Sequence, residues 1–545
     1  MAALAVVLLA LVPVVGTGSS FSADEGAAIV QARSLSRGDG WIVEHPLPEV
    51  DPAGVNYPLE NSEIGAKGVA PYAKHPLYPL VLAGAHRVAG VAGMVLVSLA
   101  GTLCAAGLAA LIGRRLDPAL ARPTLWVTGL ASPLLFDGFV VIGHTVAAAL
   151  AAGAVLLALR AADRRSVATA LAVVPCVAAA VLFRTEAVFF AGGLPAVAVV
   201  LGLASRRSRP ALLAVAGGAV LATVVTMELE ERWTAHLVGA ASVSSPLTTA
   251  SSPGGGLVSQ VRAFVLTWLT TGYSSSDLVD LALFVMAGGT VLAALAVRRR
   301  PDQGRIVVGL SVLVALAAVL ALAAGPVHLV PGLLIAFPAL AAGMALLDRR
   351  ILATETARLA FGAFGLFAIG VIATQYERGG SGEWGGRYFA LGLPLAIPVV
   401  LFALREAGRR LELGSRRVAG GALAVTMVAM AMMGLATMRE QHRRTGAVNS
   451  AIRTALGSIE PGAPQVVVAT DGALARHAWP IMDDARLLLS YGDLEYLAGR
   501  LESAGVRQFV VVTSASRPVV SPTNRVQVVS QVGETTARVM VVRTV

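Results

Sequence analysis

The sequence predicts a polytopic α-helical membrane protein of about thirteen transmembrane helices, with a large external first loop and a small external α/β domain at its C-terminal end. Three observations carry this. Apolar residues make up 56% of the 545 and charged residues only 14%, with a mean hydropathy of +0.73, whereas a soluble chain of that length shows far more surface charge. Apolar runs of roughly 17 to 22 residues recur along most of the chain, the length of a helix that crosses about 30 Å of hydrocarbon. From about Met438 the pattern changes to short β-branched runs, which read as strands.

Counting apolar runs between polar breaks gives spans near 2–18, 89–113, 119–136, 144–162, 166–183, 187–204, 210–228, 278–297, 306–325, 332–347, 356–374, 388–404 and 418–437. The first run has no basic flank and no convincing small-residue cleavage site, so it reads as a transmembrane helix and not as a signal peptide. Alanine, glycine and valine abound in the runs, and small residues let membrane helices pack closely. Cys104 and Cys176 fall inside runs and read as small buried side chains, implying neither a disulfide nor a metal. No repeat of solenoid period is visible.

Two domains follow: 1–437 as the membrane domain, with the first loop at 19–88, and 438–545 as the α/β domain. In the second, 466–469, 509–513, 526–529 and 539–542 read as strands and 494–504 as a helix, while Asp471-Gly472 reads as a turn. It has no glycine-rich phosphate loop, so it reads as structural or acceptor-binding.

The formal charge of +10 and pI of 10.2 do not imply nucleic acid as a partner. The arginines fall in clusters between apolar runs: Arg114-Arg115, Arg160 with Arg164-Arg165, Arg206 to Arg209, Arg298 to Arg305, Arg349-Arg350 and Arg405 to Arg417. With the N-terminus cytoplasmic, every cluster falls on the cytoplasmic side. Thirteen spans then place the C-terminal domain outside. Lysine occurs only at 67 and 74, and arginine with so much alanine fits a GC-rich bacterial genome. The expected location is a bacterial plasma membrane.

On this topology the external segments are 19–88, 136–144, 184–186, 229–277, 326–331 and 375–387; 242–256 reads as mobile and 264–273 as interfacial. Candidate functional residues concentrate there. Asp24 and Glu25 sit just past the first run, and Lys74-His75-Pro76-Leu77-Tyr78-Pro79 closes the first loop. Asp137 and His144 flank a short turn, Arg184-Thr185-Glu186 forms another, and Glu383-Trp384-Gly385-Gly386-Arg387-Tyr388 leads into a late span. Charges at membrane depth are costly and are functional or paired. Scattered through helix centres they would mark an ion path, but gathered at one face they point to a pocket at the external membrane surface.

Such a pocket suits transfer from a lipid-linked phosphate donor. A carboxylate acts as general base on an acceptor hydroxyl, and arginines hold the leaving phosphate through bidentate, charge-assisted bonds. Those bonds gain strength beside low-dielectric lipid. Plainer readings stay open: Ser22 and Asp24 as helix caps, Arg184 with Glu186 as a helix-end pair, His144 as a cap, Arg387-Tyr388 as an interfacial anchor, and Lys74-His75 as loop surface.

At these residues the chain resembles the C-type glycosyltransferase superfamily (GT-C), in its bacterial protein-mannosyltransferase-like and aminoarabinose-transferase-like members. The matching features are Asp24-Glu25-Gly26, His75-Pro76-Leu77-Tyr78-Pro79, Arg184 with Glu186, and Trp384-Gly385-Gly386-Arg387-Tyr388. The resemblance implies a polyprenyl-phosphate sugar donor, a cell-envelope acceptor and an inverting displacement. It further implies Asp24 as base, with Glu25 as its understudy or as an acceptor-orienting group. Arg184, Arg387, His75 and Lys74 would address the donor phosphate. Tyr78, Asp137, His144, Glu186, Trp384 and Tyr388 would line the substrate pocket. Helices near 24–37 and 76–87 would lie on the membrane surface. Extra acids in the loop, Glu44, Glu49, Asp51, Glu60 and Glu63, are candidates to bind acceptor or metal. No metal-ligand spacing is evident, so no cofactor is assigned and a divalent metal stays open.

Two rivals belong to other classes. A transporter or lipid flippase calls for broken helices near midplane and inverted repeats, whereas the spans read as long and unbroken. A scaffold binding envelope partners would tolerate loss of Asp24. Sugar, acceptor and oligomeric state are not legible.

Overall fold

The computed structural model describes all residues except 60–62, 66–67, 71, 73–74, 239–256, 271–276, 300–301, 325–330, 375–383, 491–493, 516–525, 535 and 545. The expected mobile stretch 242–256 and Lys74 therefore lie outside the described residues. The chain forms two compact units, one of residues 1–12, 95–230 and 244–437, the other of 13–94, 231–243 and 438–545.

Among the described residues, nine helices are long and apolar enough to cross a membrane, and they coincide with nine of the thirteen predicted spans. The other four are shorter or broken, which corrects the expectation of uniformly continuous spans. The first is a helix of only 14 residues, Ala2–Val15. The span at 119–136 divides into Ala121–Leu130 and Leu134–Asp137 beside Pro133. The span at 166–183 divides into Val167–Leu171 and Val173–Phe183. Pro175 has no N–H for the Leu171 carbonyl one turn back, which accounts for that break. The span at 332–347 divides into Leu333–Ala336 and Pro338–Leu346, with Phe337 at φ −133°, ψ 73° between them. A residue before proline is driven out of the helical region. Broken spans weaken the ground on which the transporter was set aside, because unbroken helices were part of that case.

Cys104 is also corrected: it sits on an exposed face of its helix, and Cys176 is half-buried, both as free thiols. An exposed thiol on an apolar helix is compatible with lipid contact, because the surrounding solvent there is hydrocarbon. Close packing inside the first unit relies on small residues, as expected. At Gly370 an added Cβ would fall 2.6 Å from the Phe189 ring, so the helices Ala187–Ala204 and Glu355–Thr374 approach one another only because that Cβ is missing.

In the second unit the first loop opens with the helix Ala23–Arg37. Ser22 caps it by accepting the Glu25 N–H at 3.3 Å, and Gly38 ends it at φ 92°. The helix Leu77–Leu116 is interrupted at Ala89 and Gly90, the latter at φ 59°, ψ −147°. That backbone conformation belongs to glycine. It separates a loop-side helical segment from the membrane-length run that the sequence places from 89 onward. Between these helices lies a small antiparallel sheet that the sequence did not announce, of β1 (Val43–Glu44), β2 (Glu63–Gly65) and β3 (Gly68–Ala70) in the order β1-β3-β2.

The C-terminal residues fold as an α/β sheet of five strands where four were expected: β4 (Val466–Ala469), β5 (Arg486–Leu489), β6 (Gln508–Ser514), β7 (Val526–Glu534) and β8 (Ala537–Thr544). The order is β5-β4-β6-β8-β7, with β4 parallel to both neighbours and β8 antiparallel to both of its own. Helices Gly472–His477 and Leu494–Ser503 accompany it. Asp471 is the N-cap of the first, accepting the Ala473 N–H at 2.8 Å. The first loop completes this domain. Leu47 and Val50 are buried in one core with Val466, Phe509 and Val542. Asn56 accepts the Leu489 N–H at 2.8 Å and donates its side-chain amide to the Leu489 carbonyl, also at 2.8 Å, so it extends the sheet beyond β5. The helix Leu413–Leu456 runs 44 residues, about 66 Å, and continues without a break past Met438.

Candidate active site

The predicted residues fall into two groups, one in each unit. In the first unit Arg184 ends the helix Val173–Phe183 with extended backbone (φ −154°, ψ 131°), and Glu186 is the N-cap of Ala187–Ala204. Arg184 Nε donates to Glu186 Oε2 at 3.0 Å and a terminal guanidinium N–H donates to Oε1, with both side chains nearly buried at 10% and 12% exposure. Burial pushes the Glu186 carboxyl up, but the Arg184 guanidinium outweighs it and brings the carboxyl down to about 2. His144 is close enough to add to that field. It is buried at the start of the helix His144–Arg164, behind Gly143, whose Cβ position lies 3.0 Å from the Phe183 carbonyl. Asp137 is buried at the end of the short helix Leu134–Asp137.

The late motif meets that helix. Trp384 stacks on Phe136 with ring centres 6.0 Å apart. Gly385 and Gly386 have φ of 73° and 66°, and Gly385 donates its N–H to the Pro331 carbonyl at 3.0 Å. A Cβ at Gly385 would collide with Pro133, and one at Gly386 would lie 2.6 Å from the Thr267 carbonyl. Both positions thus require glycine twice over, for backbone and for space. The turn delivers Arg387 to the start of the 3₁₀ segment Arg387–Gly392, with its guanidinium 5.0 Å from the centre of the Tyr388 ring. Asp137, Trp384, Arg387 and Tyr388 are therefore assembled around one stack, with His144, Arg184 and Glu186 around the neighbouring turn.

In the second unit Asp24 lies in the first turn of Ala23–Arg37, where an anion favours the helix dipole. Its carboxylate is about a third exposed and stands 3.6 Å from Arg476. Glu25 is buried, and its carboxylate accepts the Phe21 N–H at 2.6 Å, so it anchors the chain where the helix begins. His75 and Tyr78 are buried with Tyr72, at ring separations of 5.6 Å and 6.2 Å from it. The Tyr72 N–H donates to Gln31 Oε1 at 3.3 Å, which ties the closing motif of the loop to the helix that carries Asp24.

Sequence reasoning missed Gln31, Tyr72 and above all the C-terminal residues around Arg476. Arg476 is buried and donates Nε–H to the Gly472 carbonyl at 3.2 Å. Gly26, next to the acidic pair, lies so close to Arg476 that a Cβ would collide with its carbonyl. Arg33 and Arg37 from the same helix both pair with Asp483. Beside Arg476, His477 lies within 2.9 Å of the Ser20 hydroxyl, and the Asn449 amide donates to the His477 carbonyl at 3.2 Å. Burial, then the Arg476 charge, push the His477 imidazole down to about 4. A histidine held neutral below its ordinary range contributes stability that is present above about pH 6.5 and is lost as pH falls towards about 4. The second unit should therefore melt at lower temperature on acidification through that window. His477→Gln should flatten that part of a melting-temperature profile measured against pH.

Among the described residues, no group of three or more His, Cys, Asp or Glu could hold a metal ion.

No protein-family model matches the sequence, and no curated protein matches it. Solved structures do match. ArnT from Cupriavidus metallidurans bound to undecaprenyl phosphate aligns over 99% of this chain and 97% of its own, at 15% identity and a TM-score of 0.50. ArnT from the same organism in the apo state aligns over 98% and 97%, at 15% identity and a TM-score of 0.51. The chain has the ArnT fold. The ArnT fold and the aminoarabinose-transferase-like resemblance read from the four sequence motifs agree.

Proposed function

We propose that the protein is a membrane glycosyltransferase that moves a sugar from a polyprenyl-phosphate-linked donor to a cell-envelope acceptor at the external face of a bacterial plasma membrane. The observation that carries this reading is the likeness, over 99% of the chain, to ArnT solved with undecaprenyl phosphate. In orientation the N-terminus is cytoplasmic and residues 438–545 are external, as the arginine clusters favour.

The reaction is an inverting displacement. Asp24 takes the proton from an acceptor hydroxyl as its oxygen forms a bond to the anomeric carbon. The bond from that carbon to the phosphate oxygen breaks on the opposite side, and polyprenyl phosphate leaves with the electron pair. Asp24 suits the base role better than Glu25, because its carboxylate is partly exposed while Glu25 is buried on the Phe21 N–H. Arg476 orients Asp24 from the C-terminal domain. Arg184 and Arg387 hold the leaving phosphate, with His75 and Lys74 assisting. A guanidinium has five N–H donors, and Glu186 occupies two of those on Arg184. Glu186 thereby fixes the plane of the group that addresses the phosphate. Tyr78, Asp137, His144, Trp384 and Tyr388 shape the pocket, and the sugar is a hexose or a pentose.

The deciding experiment supplies membranes containing the protein with a panel of radiolabelled polyprenyl-phosphate sugars, mannose and arabinose among them. Label passing from one donor into an envelope fraction is the expected result and names the sugar. Label from none of them, with folded protein present, sinks the transferase and turns attention to lipid translocation.

A further inference from the structure

The first unit contains a second feature far from these residues. A cavity of about 510 Å³ opens between the helices Asp277–Arg299, Gly304–Ala323, Pro338–Leu346, Leu393–Gly408 and Leu413–Leu456. Its apolar part is walled by small and aliphatic side chains, among them Ala293, Ala294, Val314 and Ala419. Its other part carries Arg405, Arg409 and Arg416. Arg387 and Arg405 lie toward opposite ends of one helical segment. Eighteen positions apart, they are separated by roughly 27 Å along the axis. The cavity is thus distinct from the proposed phosphate site.

The charges at its mouth are only partly compensated. Asp117 pairs with Arg405 at 2.7 Å and with Arg409 at 3.5 Å, and Glu406 also pairs with Arg409. Arg416 has no carboxylate partner among the described residues. Its stem runs beside Gly408, 3.7 Å from where a Cβ would be, which brings the guanidinium stem over the cavity edge. Two carboxylates against three guanidiniums leave one positive charge unmatched at the rim of an apolar chamber. The apolar part of the chamber offers water few polar partners. The volume lies in the range of small-ligand pockets. Basic pockets between membrane helices bind anionic lipid head groups.

We infer that this cavity is a binding site for an anionic phospholipid of the leaflet opposite the proposed donor, with its phosphate on Arg416 and Arg405 and an acyl chain among Ala293, Ala294 and Val314. The fit is one of charge and of amphiphilic shape together: a phosphate head at the arginine rim and hydrocarbon in the chamber. Gly420 lines the chamber, and an added Cβ there meets nothing within 4 Å. Gly420→Leu should therefore fill space without disturbing a neighbour.

The test is native mass spectrometry of the intact protein in detergent, titrated with phosphatidylglycerol or with phosphatidylcholine of identical chains. Wild type should bind phosphatidylglycerol in preference. Arg416→Gln should weaken phosphatidylglycerol about fivefold and leave phosphatidylcholine unchanged. Gly420→Leu should weaken both, with an unchanged melting temperature showing that the helices still pack. Equal binding of the two lipids by wild type overturns the proposal, as does phosphatidylglycerol binding indifferent to both substitutions. Binding of undecaprenyl phosphate at the same arginines in preference to phosphatidylglycerol overturns the assigned occupant and makes the cavity a second prenyl-phosphate site.

Discussion

Asp24→Asn is expected to lower sugar transfer by a factor of about 10² to 10⁴ in a protein that still folds. The amide keeps the size of the side chain and its place in the first turn of Ala23–Arg37, but it cannot accept the proton of the acceptor hydroxyl. The carboxylate is about a third exposed and meets the buried Arg476 at 3.6 Å, so any loss of that pair will show in the melting curve. Glu25 cannot step in without abandoning the Phe21 N–H and leaving its burial. Initial rates in membranes, with melting curves of the same preparations, separate the two effects. Transfer at the wild-type rate in Asp24→Asn would remove Asp24 from the reaction, and a collapsed melting curve would make it a folding residue.

Much of this architecture is legible in the sequence because hydrocarbon is an exacting solvent. Every backbone polar group must be satisfied within a span, so a long apolar run has one structural answer, the helix. All thirteen runs contain helix for that reason, including those cut by Pro133, Pro175 and Pro338. What composition could not deliver was continuity, since a single proline redirects a helix without altering its hydropathy. The small strands β1, β2 and β3 escaped because they are two or three residues long and carry no alternation. β5 escaped for another reason: its Arg-Leu-Leu-Leu sequence has no β-branched residue, and pairing with β4 makes it a strand. The turn Arg184-Thr185-Glu186 was readable because its partners are two residues apart. The neighbours of Asp24 were not. Arg476, His477 and Asp483 come from the far end of the chain, and no local pattern marks an arginine for a distant helix. The sequence reading left the C-terminal domain either structural or acceptor-binding. Its packing with Leu47, Val50, Asn56 and Gly26 shows that it organises the first loop. A reading that separates the loop from the tail therefore divides what folds together.

Arg184→Ala should cost about 3–5 kcal/mol of stability and abolish transfer, and the two losses have different causes. The guanidinium and the Glu186 carboxylate are nearly buried against each other. Removing one leaves the other's charge in a poor solvent, and that desolvation accounts for the stability loss. Arg184→Ala/Glu186→Ala removes both charges, so most of the stability should return, and the cycle of single and double variants measures the coupling. Transfer should not return. If the Arg184 guanidinium holds the donor phosphate, deleting the Glu186 carboxylate does nothing to replace it. Arg184→Lys sharpens the comparison, because it keeps the charge and loses the planar, two-pronged contact. It should fold better than Arg184→Ala and still transfer poorly. Melting temperatures in detergent and transfer rates in membranes, on wild type and these four variants, decide the matter. Recovery of both quantities in the double variant would mean that Arg184 exists to neutralise Glu186, and the phosphate would then fall to Arg387 with His75 and Lys74.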